Sequence, residues 1–85
     1  MTYKIVLSRQ AERYYSNVDD KTARRLNKAF EVLESNPQPA SAKALKGELE
    51  GFQRVRIGHL RVIYQLNETL QEIRIIRIGP RGDVY

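Results

Sequence analysis

The chain has 85 residues, of which 41% are hydrophobic and 29% charged, and its net charge is +5. This composition predicts one folded domain over residues 1–85, with a modest core that a partner can help to stabilise. The chain has no cysteine and a single histidine, which excludes a disulfide scaffold and argues against a zinc site, so neither metal nor cofactor is expected. The N-terminal apolar run is too short for a signal peptide, and no segment is long enough for a membrane helix, which predicts a cytoplasmic protein.

The first half of the chain predicts a strand followed by two helices. Residues Tyr3 to Leu7 alternate as a strand, and Ser8 is suited to cap a helix that runs to about Asn17. Apolar residues recur with a helical period from about Lys21 to Ser35, which predicts the second helix. Because few residues separate the two helices, we expect them to form an antiparallel hairpin.

The second half predicts a three-stranded antiparallel meander. The stretch 40–51 is irregular and is interpreted as a connecting loop with room for one helical turn. Strands are predicted over Phe52 to Ile57, about Leu60 to Leu66, and Leu70 to Ile78, with a two-residue turn between the first two. The order β-α-α-β-β-β predicts an α+β domain in which the helical hairpin packs on the antiparallel sheet.

The basic residues toward the C-terminus are of a single type. From Phe52 onward they are all arginines, namely Arg54, Arg56, Arg61, Arg74, Arg77 and Arg81. Arginine presents a planar set of donors that suits phosphate, and it also stacks on bases, so the pattern favours RNA as the anionic partner. The alternative is that strand-edge arginines protect a small sheet from aggregation.

Strand periodicity predicts where these arginines point. Arg54 and Arg56 are two residues apart and share a face, which we expect to be the open one because Val55 should lie under the helices. Arg61 opens the next strand across the turn from Arg56, and Arg81 follows the last strand. These four arginines are therefore predicted to surround one phosphate-sized volume.

Other polar residues are given simpler interpretations. Arg74 and Arg77 are predicted on opposite faces of the last strand, where at most one of them can join the cluster, and both are interpreted as ordinary surface residues. Tyr64 lies in the most apolar strand and is interpreted as structural. His59 lies in a hairpin turn and is interpreted as exposed and without a catalytic role. Tyr85 is a terminal aromatic whose hydroxyl and ring can both act on RNA.

Two stretches of the chain resemble the RelE/ParE superfamily of bacterial and archaeal toxins. One contains Leu45-Lys46-Gly47 and, after Phe52, the pattern Arg-x-Arg-x-Gly-x-x-Arg-Val-Ile-Tyr; the other is the closing Ile78-Gly79-Pro80-Arg81-Gly82-Asp83-Val84-Tyr85. The resemblance spans the whole chain and includes the order of the elements. It implies a RelE-like fold of the microbial ribonuclease type.

The resemblance also implies a function, that of the toxin of a toxin–antitoxin system. RelE-type members cleave mRNA in the ribosomal A site, where the 2′-hydroxyl attacks the neighbouring phosphodiester, and they thereby inhibit translation. The implied partners are the ribosome, mRNA and a cognate antitoxin that forms a hetero-oligomer with the toxin, whereas the free toxin is expected to be monomeric.

The family's site residues can be carried over by position. The resemblance assigns catalytic roles to Arg54, Arg56, Arg61, Arg81 and Tyr85, and RNA binding to Arg54 and Arg56, to which Lys43 and Lys46 are added. Arginines can stabilise the charge of a phosphorane, but they stay protonated and are poor bases. The general base is left open between Tyr85, the less favoured His59 and Lys46, and the ribosomal RNA itself.

Two other functions fit the same sequence. One is a ParE-like inhibitor of DNA gyrase without nuclease activity, and the other is a small RNA-binding module that does not cleave. The joint presence of the arginines and Tyr85 favours the nuclease over the gyrase inhibitor.

Overall fold

A computed structural model of the chain describes residues 2–47 and 50–80. Its elements are β1 (Lys4–Leu7), α1 (Arg9–Ser16), α2 (Asp20–Ser35), β2 (Lys43–Ala44), β3 (Phe52–Ile57), β4 (Leu60–Asn67) and β5 (Glu72–Pro80). The α+β class, the helical hairpin and the three-stranded meander are thereby confirmed. The two-residue strand β2 lies in the stretch 40–51, which the sequence predicts to be a loop. The strand was not predicted because two residues are too few to give a periodic signal.

The five strands form one sheet in the order β1-β5-β4-β3-β2. Neighbouring strands are antiparallel except for β1, which pairs in parallel with β5 from Lys4↔Glu72 to Leu7↔Ile75. β4 is paired along its length, with β3 on one side over Leu60 to Gln65 and with β5 on the other. The N-terminal strand is therefore beside the last strand, and β4 is in the interior of the sheet.

Each helix begins at a side chain that accepts a backbone hydrogen bond. The Ser8 hydroxyl accepts the N–H of Ala11 at 3.1 Å, as predicted for this residue, and the Asp19 carboxylate accepts the N–H of Thr22 at 3.0 Å. Such caps satisfy donors that the first turn of a helix leaves without a partner. The hydrogen bonds from Thr22 lower the pKa of Asp19 below its usual value.

The helical hairpin covers one face of the sheet, and the core lies between them. Helix residues Ala11, Leu26 and Leu33 are at most 1% exposed, and they pack with buried sheet residues that include Val55, Leu60, Val62, Tyr64, Ile73, Ile75 and Ile78. These sheet positions recur at alternate residues along β3 and β4, as side chains on one face of a strand do. Among residues 2–47 and 50–80, no helix lies on the other face of the sheet.

Tyr64 is a structural residue of this core. Its side chain is fully buried, and its hydroxyl donates to the Pro37 carbonyl at 2.8 Å and lies 3.3 Å from the Gln53 amide oxygen. Burial raises the pKa of the phenol to about 12, because the charged form is poorly solvated there. The bond to Pro37 ties the segment after α2 to the centre of the sheet.

The last strand is shifted relative to the prediction of Leu70 to Ile78. A turn occupies residues 68–71, in which the Asn67 side chain accepts the N–H of Leu70 at 3.1 Å and Gln71 has a left-handed φ of 52°. β5 therefore begins at Glu72, and it continues through Gly79 to Pro80, opposite Leu60. Within the described part of the chain no helix is long and apolar enough to cross a membrane.

Candidate nucleic-acid interface

The lysines and arginines of the sheet all point to the face that the helices leave uncovered. We call this surface the basic face and define it by its cations, Lys4, Lys43, Arg54, Arg56, Arg61, Arg74 and Arg77. Their positions follow from the cross-strand register, because residues directly opposite each other on neighbouring strands share a face. Among the strand residues Glu72 is the acidic residue that opposes them.

Arg56 and Arg61 form the first row of the basic face. They are direct cross-strand partners in the β3–β4 hairpin, next to its turn. The turn is tight because Gly58 adopts a left-handed φ of 61°, a conformation that glycine accepts at little cost. The two arginines line a hollow of about 230 Å³ together with Gly58, His59 and Leu60. We call this concavity the arginine hollow.

A second row crosses the sheet beside the first. Lys43 is opposite Arg54, Arg54 is opposite Ile63, and Ile63 is opposite Arg77. Ile63 is only 2% exposed although it lies on the helix-free face, and Arg54 is only 9% exposed. The second row therefore has an apolar centre between cationic ends.

The structure corrects the prediction for Arg74 and Arg77. They were expected on opposite faces, but both lie on the basic face, since Arg74 is opposite Gln65 and Arg77 is opposite Ile63. The register shifts between Ile63 and Tyr64, so β5 contains one extra residue, a β-bulge at Ile76. The sequence does carry a signal of this bulge, because the adjacent pair Ile75-Ile76 breaks the alternation of apolar and polar residues.

Helix α2 adds a cation that the sequence analysis did not identify. A side chain at Gly58 would place its Cβ 3.0 Å from Nη1 of Arg25, so the Arg25 guanidinium lies against the turn that forms the arginine hollow. Arg25 is exposed on this helix. Helical periodicity gives the side of α2 on which Arg25 lies but not the distance to a loop far along the chain.

The predicted site residues have three outcomes. Arg54, Arg56 and Arg61 are brought together on the basic face, with Lys43 beside Arg54. Lys46 is exposed in the loop after β2 and belongs to neither row. Arg81 and Tyr85 lie outside the described residues, so their convergence with the other arginines stays a prediction.

The arginine hollow is chemically suited to an anion. Guanidinium groups offer directed hydrogen bonds to phosphate oxygens and stay charged at any accessible pH, so they bind phosphate but do not exchange protons. Of the residues that line the hollow, His59 has the side chain type that can take up and release a proton near neutrality. The described residues contain no group of three or more histidines and carboxylates that could hold a metal ion.

Protection of sheet edges does not account for the whole basic face. Arg61 lies on β4, which has a paired strand on each side, so its position exposes no strand edge. Arg61 also faces another arginine directly, an arrangement that carries a cost in stability because like charges directly opposite each other in a sheet are destabilising. A ligand of opposite charge removes that cost.

Comparison with known proteins identifies the family. Residues 5–85 match the family model described as the ParE toxin of the type II toxin–antitoxin system parDE. The chain belongs to this toxin family. A search of curated proteins gave no matching sequence.

Solved structures of related toxins have the same fold. The toxin is 29% identical to a chain of the archaeal RelE–RelB complex from Pyrococcus horikoshii, with a TM-score of 0.83 and coverage of 99% of this chain and 100% of that one. A chain of the RelBE2 complex from Mycobacterium tuberculosis is 24% identical, with a TM-score of 0.82 and coverage of 95% and 100%. A mutant of Escherichia coli RelE in the free state is 15% identical, with a TM-score of 0.79 and coverage of 96% and 86%. Together with the family model, these similarities show a type II toxin of the RelE/ParE superfamily.

Proposed function

We propose that this toxin is a ribosome-dependent endoribonuclease that cleaves mRNA in the ribosomal A site. The observation that supports the proposal most strongly is the direct pairing of Arg56 with Arg61 beside a concavity of about 230 Å³. Two like charges directly opposite each other destabilise the fold, whereas two arginines side by side can bind one phosphate. The RelE complexes among the structural relatives agree with this assignment.

The basic face supplies charge stabilisation in the proposed reaction. The 2′-hydroxyl of one nucleotide attacks the adjacent phosphorus, the bond to the 5′-oxygen of the next nucleotide breaks, and the products are a 2′,3′-cyclic phosphate and a free 5′-hydroxyl. Arg56 and Arg61 bind the non-bridging oxygens, whose charge increases in the phosphorane, and the second-row Arg54 adds to the field. Fixed donors of this kind typically contribute about 10²–10³ in rate each. Arg81 is proposed to approach the same phosphate from the C-terminal segment.

Proton transfer requires a different group. The attacking hydroxyl must lose a proton and the departing oxygen must gain one, and arginine does neither. His59 lines the arginine hollow, and Tyr85 occupies the position of the family's terminal tyrosine, so each is a candidate. A pH–rate profile of single-turnover cleavage distinguishes them. If the cleavage rate of His59→Gln no longer changes with pH near neutrality, proton transfer is assigned to His59. If the cleavage rate of Tyr85→Phe loses this pH dependence, proton transfer is assigned to Tyr85. An unchanged profile in both leaves the ribosome as the source of proton transfer.

The proposed partners follow from the reaction and the relatives. Cleavage in the A site requires the ribosome and mRNA, and it locates the toxin in the cytoplasm. A cognate antitoxin is proposed as the protein partner, because similar toxins were solved as RelE–RelB and YoeB–YefM complexes.

The second candidate is inhibition of DNA gyrase without RNA cleavage. It is favoured by the family model, whose description is that of a ParE toxin. A third candidate is RNA binding by the basic face without chemistry. The gyrase candidate does not explain why two arginines face each other beside a concavity, and the non-catalytic module does not require that a histidine line the same concavity.

One experiment separates the three candidates. The purified toxin is added to ribosomes translating a defined message, RNA ends are mapped, and the same preparation is assayed for inhibition of gyrase supercoiling. We expect cuts within A-site codons that leave cyclic-phosphate ends, with supercoiling unaffected. Intact message with inhibited supercoiling supports the gyrase poison, and intact message bound by the toxin supports the non-catalytic module.

A further inference from the structure

The β-bulge in β5 has a consequence for RNA binding. Ile73, Ile75 and Ile78 are all fully buried in the helix-side core, although Ile75 and Ile78 are three residues apart. Regular alternation would turn one of those two outward. The extra residue Ile76 restores the phase, so that Ile78 points inward and Arg77 points to the basic face.

Side chains from the start of α1 hold this bulged segment in place. β1 pairs with β5 as far as Leu7↔Ile75. Beyond that point Ser8 and Gln10 form the hydrogen bonds to the edge of β5. Ser8 donates its backbone N–H to the Ile75 carbonyl at 2.9 Å and its hydroxyl to the Ile76 carbonyl at 2.6 Å. The Gln10 amide donates to the Ile78 carbonyl at 2.9 Å and accepts the Ile78 N–H at 3.0 Å.

These contacts fix the backbone on both sides of Arg77. Ser8 anchors the residue before it, and Gln10 anchors the residue after it. The side chain of Arg77 nevertheless remains exposed. An exposed cation on an ordered backbone loses less conformational freedom on binding than one on a mobile loop, which favours a binding role over a purely solvating one.

Arg77 is placed to contact a different phosphate from the one in the arginine hollow. Arg77 is opposite Ile63, and Arg61 is opposite Gly79, so Arg61 and Arg77 are diagonal neighbours on adjacent strands. Such diagonal positions are about 7–8 Å apart. Arg77 is not among the residues that line the arginine hollow, so it is placed to bind a phosphate next to the one in the hollow.

Arg74 lies on the same strand as Arg77 but differs from it in having an acidic neighbour. Its Nε is 3.7 Å from the Glu72 carboxylate, so part of its charge is already neutralised within β5. It shares the face and the strand with Arg77 and is also exposed. Arg74 is therefore a matched control for the loss of one positive charge.

We infer that Arg77, turned outward by the bulge at Ile76, binds the RNA phosphate next to the one held in the arginine hollow. This inference rests on the proposed function, in which the first and second rows of the basic face bind mRNA; Arg74 belongs to neither row. It assigns to the toxin a second phosphate subsite, formed by the last strand.

Salt-dependent RNA binding tests the subsite. The probe is a short single-stranded RNA with 2′-O-methyl riboses, which binds but cannot be cleaved, and its Kd for the full-length toxin is measured over a range of KCl concentrations. Each lost phosphate contact should reduce the slope of log Kd against log salt by about 0.7. We expect this reduction and several-fold weaker binding for Arg77→Ala and Arg77→Gln, and no change of slope for Arg74→Ala. Thermal unfolding shows that each variant is folded.

Two outcomes overturn the inference, and they are distinguishable. If Arg61→Ala lowers the salt slope while both Arg77 variants match the wild type, the second subsite is wrong and the proposed function stands. If neither Arg61→Ala nor Arg77→Ala alters RNA binding and translating ribosomes retain intact message, the proposed function fails as well. On ribosomes, Arg77→Ala should raise KM with little effect on kcat, because Arg77 is a positioning residue. An equal loss for Arg74→Ala in either assay identifies a general charge effect and also overturns the subsite.

Discussion

The two faces of the central sheet are built from the same strands and solve different physical problems. On the helix side, Val62, Tyr64 and Ile75 are fully buried against the helical hairpin. On the other side, the same strands present arginines, two of which face each other directly. One face contributes stability by excluding water, and the other gives up some stability to concentrate positive charge. The comparison suggests that folding and function are separated by the strand period of two residues.

The strongest test of the helix side is truncation of a core residue. Ile78→Ala should lower the free energy of unfolding by about 2–5 kcal/mol, because it leaves a cavity in a core that a short chain cannot easily repack. Urea denaturation measures the change. Val32→Ala is the control, since Val32 is 45% exposed on α2 and its truncation should have a small effect. Similar losses for the two variants would contradict the core described above.

The hydroxyl of Ser8 connects the start of α1 to the bulge in β5, and a single substitution removes it. Ser8→Ala removes both the cap on Ala11 and the hydrogen bond to the Ile76 carbonyl, and it should cost about 1–3 kcal/mol of stability. Ser35→Ala is the matched control, because the Ser35 hydroxyl bonds only to carbonyls of its own helix. Chemical denaturation of the two variants gives the difference. Equal stability would show that the Ser8 hydroxyl does not secure the bulge.

High pH should weaken the helix side through Tyr64. Burial raises its pKa in the folded protein to about 12 from the usual value of 10.0, so its contribution to stability is complete below pH 10 and falls as the pH rises toward 12. Tyr64→Phe lacks this titration and also the hydrogen bond to Pro37. The stability difference between wild type and Tyr64→Phe should therefore shrink as the pH rises from 9 to 12. A difference independent of pH would mean that the phenol is not held neutral by burial.

The smallest predicted effect has the opposite sign. Arg56→Gln removes the like-charge pair with Arg61 and should raise the free energy of unfolding by less than about 0.5 kcal/mol, while it lowers RNA cleavage. Arg24→Gln, an exposed position on α2, should change neither property appreciably. Thermal unfolding at low salt, where the repulsion is least screened, is the suitable measurement. Destabilisation by Arg56→Gln would indicate a structural role for this arginine.

The sequence predicted most of this architecture for identifiable reasons. The start of α1 followed from Ser8, and α2 followed from the helical period of its apolar residues. β3 and β4 followed from alternating apolar residues, which also placed Arg54, Arg56 and Arg61 on one face. The parallel pairing of β1 with β5 was not predictable, because it depends on how the helical hairpin returns the chain to the sheet.

The rest of the candidate site depends on register. Arg77 was misassigned because strict alternation was applied through a bulge, and only the pairing with β4 shows that Ile76 is the extra residue. Arg25 was missed because its proximity to Gly58 joins a helix to a distant turn. Residue patterns predict faces within one element, whereas contacts between elements require the three-dimensional structure.

The central claim is that the basic face, and not the total charge of the toxin, performs the reaction. Single-turnover cleavage of mRNA on translating ribosomes tests it with two variants that each remove one arginine, Arg61→Ala on the basic face and Arg24→Ala on helix α2. We predict a loss of about 10²-fold or more in rate for Arg61→Ala and a rate close to wild type for Arg24→Ala. Equal rates for the two variants, with both proteins folded, would contradict the claim.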